Sequence, residues 1–347
     1  MNAAPELAKP SSHRSIDQFK PGETFQDTVF MVSQKDLRTT ANGGLYIHLV
    51  FADRTTQVVA RIWQATKEQF ESIPEGGFIR AKGRVESYKG NLQVIVDALR
   101  PADLSSIDLA DFMPATRFDV EEMWQGVLTL LRTIRNPSLL ALMKAFIRDE
   151  ALMEGFKKAP AAIQNHHAFI GGLLEHTHSL LEMAARIFGR SDDTDNHYPE
   201  VSRDLVLAGI FLHDIGKAAE LSFETNFTYT TEGQLVGHIA MAAIWIDRKA
   251  AEVEKETGEP FPADIRNVLI HLILSHHGAY EFGSPKLPAC PEALVIHYLD
   301  NLDAKVFMAL KGIHEARKKE SDFSEWIRPL ETRVYKKDVM GCRRTRN

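Results

Sequence analysis

The hydrophobic pattern of this chain changes period near residue 100, and no single class of secondary structure satisfies both halves. From about residue 22 to 100, short β-branched and aromatic stretches alternate with polar residues: TFQDTVFMVSQ, GLYIHLVFAD, TQVVARIW, FIRAKGRVESY and NLQVIVDALR. Successive side chains of a strand face opposite sides of a sheet, so this pattern predicts strands with one buried face. Asn42-Gly43-Gly44, Asp53-Arg54, Gly76-Gly77 and Lys89-Gly90-Asn91 mark the turns, and ATKEQFESI reads as a helix between the third and fourth strands. Beyond the linker PADLSSIDLADFMPATRF the period becomes helical. There Asp119 and Glu122 form a capping pattern, and Pro137 suits the first turn of the next helix. Val120, Met123, Trp124, Val127, Leu128, Leu131 and Ile134 keep to one helical face.

The fold class that follows is a multidomain α and β chain, because 347 residues exceed one ordinary core. The expected division is a flexible N-terminus over 1–19, a barrel over 20–102, a linker over 103–118, an all-α domain over 119–335 and a basic tail over 336–347. Five strands with a helix between the third and fourth is the order of an OB-fold, a five-stranded β-barrel used for single-stranded nucleic acids and oligosaccharides. This half resembles a tRNA-anticodon-type OB module. With 44% hydrophobic and 25% charged residues the chain reads as soluble and globular. MNAAPELAKPSSHRS lacks a signal-like apolar run and no window of 18 apolar residues could span a bilayer, so a cytoplasmic location without membrane contact is expected. Cys290 and Cys342 are the only cysteines, which removes thiolate metal sites and disulfide frameworks from consideration.

Net charge is −6, yet Lys20 to Arg100 carries 11 Lys/Arg against 9 Asp/Glu, making the barrel the better polyanion contact. Phe51, Trp63 and Tyr88 could stack bases there, and Arg61, Arg80, Lys82, Arg84 and Lys89 could follow phosphates. Arg80, Lys82 and Arg84 share one strand face. Aromatics also serve as core in small barrels and alternating cations as a solvated face, so the pattern alone leaves both readings open.

Histidines cluster along the second half: NHHAFIGGLLEHTH, FLHDIGK, GQLVGH, ILSHHG and HYLDNLDAK. A lone histidine on an apolar helix is usually a satisfied core residue. Burying so many imidazoles with carboxylates is costly unless they pair or bind a cation. Adjacent His213 and Asp214 diverge by roughly 100° on a helix, so they reach one cation only where the helix ends, as Gly216 suggests. Lys217, four residues after His213, could meet a metal-bound phosphate or simply favour the helix dipole.

These motifs resemble the HD-domain phosphohydrolase superfamily, in which a His, an adjacent His-Asp pair and a distant Asp bind metal. The resemblance implies His176, His213, Asp214 and Asp300 as metal ligands. It also gives His238 and the His276-His277 pair as the extra ligands of members with two ions, without deciding which of the pair ligates. Asp303 would then orient a ligand or a water, or cap a neighbouring helix. Catalysis would rest on Lys217, Asp214 and His213, and His166 and His167 would hold the terminal nucleotide or cap the turn. Barrel and motifs in this order resemble the YhaM-type 3′→5′ exoribonucleases over roughly residues 20 to 335. Single-stranded RNA or DNA is the implied partner, and self-association is left open. A site rich in His and carboxylate suits one or two transition-metal ions, Mn²⁺ first and Co²⁺, Fe²⁺ or Ni²⁺ next, over Mg²⁺. Two rivals remain: a phosphohydrolase acting on a small nucleotide, and a non-catalytic RNA-binding protein with a structural metal. The basic tail KKDVMGCRRTRN is either a further nucleic-acid contact or a solvated end.

Overall fold

A computed structural model describes residues 13–40, 42–103, 107–163, 166–190, 195–223, 227–316 and 320–342. The chain divides into two compact units, residues 1–115 with 223–227, and residues 116–222 with 228–347.

The first unit is built on β1 (Thr24–Thr39), β2 (Leu45–Ala52), β3 (Gln57–Trp63), the short helix α1 (Lys67–Ser72), β4 (Phe78–Tyr88) and β5 (Asn91–Pro101). Every strand stretch and the helical insert therefore form where the alternation places them. The strands close in the order β1-β2-β3-β5-β4, with β4 returning to β1 and β3 lying parallel to β5. The 16-residue β1 pairs with β2 along one part and β4 along another, and bulges at Phe25/Thr28 and Val32/Gln34 supply the bend that closure demands. Lys89-Gly90 forms a two-residue hairpin loop, both residues at positive φ, between the paired Tyr88 and Asn91.

Ile47, Leu49 and Phe51 share the inner face of β2 and pack with Phe30, Val32, Ile79 and Val94. Phe51 is fully buried and stacks on Phe30 with ring centroids 4.5 Å apart, so it is core and not a base-stacking residue. Residues 13–19 are likewise not the loose segment expected. Ile16 and Phe19 enter the barrel core, while the buried Asp53 accepts from Ile16 N at 2.5 Å and from the main chain of Thr55 and Thr56. Residues 1–12 of the expected flexible terminus lie outside the described residues.

The second unit carries α2 (Val120–Leu131), α3 (Pro137–Ile147), α4 (Glu150–Lys158), α5 (Gly172–Phe188), α6 (Arg203–Leu212) and α7 (Lys217–Glu220). A small hairpin of β6 (Leu221–Ser222) and β7 (Thr228–Tyr229) follows, then α8 (Thr231–Val236), α9 (His238–Thr257), α10 (Ala263–Ser275) and α11 (Pro291–His314). Asp119 caps α2 by accepting from Glu122 N, and Pro137 sits in the first turn of α3, as expected. On α2, Met123, Trp124, Val127 and Leu131 are buried as read, and so is Leu130, whereas Val120 at the first turn is exposed. Among the described residues no helix is long and apolar enough to cross a membrane. Of the basic tail, Lys337 pairs with Asp322 at 2.9 Å, and residues 343–347 lie outside the described residues.

Candidate metal centre

Helix α6 stops at Leu212, and a turn over 213–216 separates it from α7. This break lets adjacent His213 and Asp214 face one point, as their spacing requires. Asp214 lies at the middle of the cluster. Its Oδ2 is 3.4 Å from His213 Nε2, and its Oδ1 is 3.4 Å from His238 Nε2 and 3.5 Å from His276 Nε2. His176 of α5 approaches from another side, with Nε2 3.1 Å from Asp300 Oδ1 of α11. His277 lies beside His276, ring centroids 4.3 Å apart, and groups with His238 and His276 as candidate ligands.

Donor atoms on one ion at about 2.1 Å stand roughly 3 Å apart, so these separations suit a shared cation. The ring orientations give the sharper test. His213 Nδ1 meets Ile210 O and His276 Nδ1 meets Ile273 O, each at 2.7 Å, while His277 Nδ1 meets Phe282 O at 2.8 Å. His176 Nδ1 meets Asp303 Oδ2 at 2.8 Å, and His238 Nδ1 meets Glu220 Oε1 at 2.9 Å. With each Nδ1 donating, Nε2 of His213, His238 and His276 is left to carry a lone pair toward the centre, and that of His176 does so once an ion displaces the proton it directs at Asp300. Nε2 of His176, His213, His238 and His276 and Oδ1 of Asp214 are buried atoms without a hydrogen-bond partner. Orphaned acceptors packed together are expensive in a native structure unless a cation completes them, so these residues fit a divalent metal.

The charge states agree. Burial pushes the His276 imidazole down and, with His276 beside it, takes His277 down to about 4. His238 is lowered by burial despite Glu220. All three are neutral near pH 7 and ready to ligate. Burial also disfavours charge on His176, but Asp300 and Asp303 outweigh it and push this imidazole up to about 9 in the absence of metal. Burial acts against an ionised Asp214, yet Lys217 and His213 hold its carboxyl well below the usual range.

Lys217 donates to Asp214 Oδ2 at 2.6 Å, a buried ion pair and not a free ammonium reaching outward. Asp303 gathers three donors: His167 Nε2 at 2.9 Å, His176 Nδ1 at 2.8 Å and Ser179 Oγ at 2.7 Å. His167 is therefore turned inward, buried against Phe307 with ring centroids 4.2 Å apart, and does not present its imidazole to a nucleotide. Its neighbour His166 remains at the centre, its ring 5.6 Å from that of His176, and burial and the charge of Lys217 take it down to about 3. Glu220 and Ser179 went unread in the sequence, since neither belongs to a ligand spacing.

On the barrel, Arg61 lies under three rings. Its guanidinium is 5.4 Å from the Trp63 ring, 5.4 Å from Tyr88 and 5.8 Å from Tyr46, and Lys89 Nζ is 5.5 Å from Tyr88. Trp63 and Tyr88 are about half exposed. Tyr46, opposite Trp63 in the β2–β3 register, completes the patch and was missed. Arg80, Lys82 and Arg84 do share the outer face of β4, but Arg80 pairs with Asp27 and Arg84 with Glu86 and Asp97. Those guanidiniums already meet carboxylates, which leaves Lys82 as the plainer cation of the three.

Family patterns match both units: an OB-fold nucleic acid binding domain over residues 31–102 and an HD domain over 173–305. A closed barrel of that kind with a helical histidine-aspartate centre defines a phosphohydrolase of the HD class. The chain is similar to 3′-5′ exoribonuclease YhaM of Geobacillus sp. (strain WCH70), with 32% identity covering 94% of this chain and 96% of that one. The YhaM protein of Bacillus velezensis is also 32% identical, over 90% of this chain and 94% of its own. The chain belongs to the YhaM 3′-5′ exoribonuclease family.

Proposed function

We propose that this chain is a cytoplasmic, divalent-metal-dependent exoribonuclease that removes nucleotides from the 3′ end of single-stranded RNA. The observation that carries the metal dependence is the set of five orphaned donor atoms converging around Asp214. His176, His213, Asp214 and Asp300 would hold one ion, and Asp214, His238, His276 and His277 a second. Mn²⁺ is the preferred occupant, with Co²⁺, Fe²⁺ or Ni²⁺ next, because imidazole with carboxylate suits these ions. When bound, such ions supply Lewis-acid polarisation of the scissile phosphate and a more acidic water.

The protein's own groups do the rest. Lys217 stays cationic, because Asp214 holds its proton against the effect of burial, and so offsets charge developing on the phosphate oxygens. His166, kept neutral, is available to the terminal nucleotide as a hydrogen-bond partner or stacking face. Three rings around Arg61 favour unpaired bases, and Lys82 and Lys89 add phosphate contacts, which supports a single strand as substrate. The direction of attack and the preference for RNA rest on the YhaM relatives.

The test is 5′-labelled single-stranded RNA incubated with and without Mn²⁺, beside Asp214→Ala. A metal-dependent ladder shortening from the 3′ end, absent in the variant, is the expected result. RNA left intact with every metal would overturn the proposal and point to small nucleotides as substrates. Tyr88→Ala and Arg61→Ala should weaken RNA binding by about 5- to 150-fold, from roughly 1–3 kcal/mol per stacked base, and leave hydrolysis of a small phosphodiester unchanged.

A further inference from the structure

We infer that Glu220 is a positioning residue for one ion only: it aims His238 at the second metal, and without it the centre retains the first. This rests on the two-ion reading above.

Glu220 is the last residue of α7, three positions after Lys217, and it is buried. One carboxylate oxygen does two things. Oε1 accepts from the main-chain N of His238 at 2.9 Å and from the ring Nδ1 of the same residue at 2.9 Å. The first contact fixes where helix α9 begins, and the second fixes how the imidazole turns. Helix α9 has no side-chain cap of its own, since Gly237 precedes it at φ +75°, so Glu220 provides that acceptor from another helix. With Nδ1 held, Nε2 of His238 points at Asp214 Oδ1, 3.4 Å away, without a hydrogen-bond partner.

The other imidazoles are fixed differently. His213, His276 and His277 each use a main-chain carbonyl, which no side-chain substitution removes. His176 uses Asp303. Each proposed ion therefore has one histidine aimed by a carboxylate, Asp303 serving the first and Glu220 the second. Helix α7 also acts on both oxygens of the central carboxylate, Lys217 directly on Oδ2 and Glu220 through His238 on Oδ1.

Loss of the Glu220 side chain leaves its backbone anchored. Thr230 N donates to Glu220 O at 2.9 Å, and the β6–β7 hairpin begins at the next residue. A carbonyl-bonded backbone on both sides makes a selective ligand defect the expected consequence, in place of general unfolding.

The experiment is a Mn²⁺ titration by calorimetry on full-length protein, with metal content measured after gel filtration, for wild type, Glu220→Ala and Glu220→Gln. Wild type should bind two ions. Glu220→Ala should keep one at wild-type affinity and bind the other about 10- to 100-fold more weakly, the usual cost of losing a partner that orients a ligand. Glu220→Gln, whose amide oxygen still accepts both N–H groups, should fall between them. Two ions bound by Glu220→Ala with wild-type affinity, or both weakened alike, would overturn the inference. If Glu220→Ala does not fold, Glu220→Gln decides by the same criterion: selective weakening of one ion supports it, and no change or equal loss refutes it. A wild-type protein binding a single ion would instead refute the two-ion reading, a result distinguishable from failure of Glu220 alone.

Discussion

Replacing Asp303 by Asn changes one atom and tests how much of the metal affinity resides outside the ligands. In the native protein both imidazole donors, His167 Nε2 and His176 Nδ1, meet Oδ2, and Ser179 meets Oδ1. The Asn side chain does least harm with its amide nitrogen toward Ser179, whose hydroxyl can turn to accept. Both imidazoles then keep an acceptor, but a neutral one. A hydrogen bond to a charged group contributes about 1.5–3 kcal/mol and a neutral one about 0.5–1.5, so the one weakened bond that bears on a ligand, that of His176, costs about 1–1.5 kcal/mol. That is about 5- to 10-fold in Mn²⁺ affinity, at the low end of the 10- to 100-fold range usual for such partners. One offset must be removed. Losing an anion also loosens the proton on His176, which favours the ion at neutral pH, so the comparison belongs near pH 9, where that proton no longer competes strongly. Calorimetric Mn²⁺ titration of wild type and Asp303→Asn under anaerobic conditions gives the answer. Affinities equal within about twofold would refute the claim that Asp303 aims His176.

Because His176 is held up to about 9 without metal, Mn²⁺ affinity should rise close to tenfold per pH unit between about 6.5 and 9 and then level off; a flat profile over that range would refute it. The matching stability effect has the opposite sign: the protonated His176 stabilises the metal-free protein fully below about 6.5, and this is lost as pH rises through about 9. Asp53, depressed because its hydrogen bonds outweigh burial, stabilises the fold above its ordinary value of 3.8 and loses that contribution as pH falls through its lower native value. Asp53→Asn should cost about 1–3 kcal/mol and open the chain near Arg14 to limited proteolysis, and an unchanged melting temperature and cleavage pattern would count against it. In Gly216→Ala the new Cβ would lie 2.2 Å from His238 O, so backbone must move; if the roughly 1–3 kcal/mol of overpacking falls on the metal-bound state, Mn²⁺ affinity should drop about 5- to 150-fold, and retained affinity would show that α7 and α9 yield freely.

Much of this molecule was legible because its signals are local. Strand alternation, the Asp119 cap, Pro137 at the start of α3 and the break after His213 each depend on a few neighbouring residues. The candidate ligands could be named from spacing together with family resemblance, and the fold brings them together. What stayed hidden depends on pairing across the chain. Tyr46 joins the Arg61 patch only through its register with Trp63, and Arg80 and Arg84 meet carboxylates delivered by β1 and β5. His167 turns inward at φ +47°, a conformation that nothing in NHHAF announces. Glu220 sits 18 residues before the histidine it serves. Phe51 is a different case: its parity with Ile47 and Leu49 places it inside, so period two alone decides between the two open readings in favour of core.

His213 and His276 both hydrogen-bond to the carbonyl three residues earlier, in the last turns of α6 and α10. Last-turn carbonyls lack helical partners in any case, so the two helices spend their leftover acceptors on holding rings still. The aim of these imidazoles is thus set when the helices form, with or without a cation. On the metal reading, an ion would enter a socket that this half of the site holds ready: a chelator should strip it without unfolding the chain, and an unchanged circular dichroism spectrum after chelation would be the check.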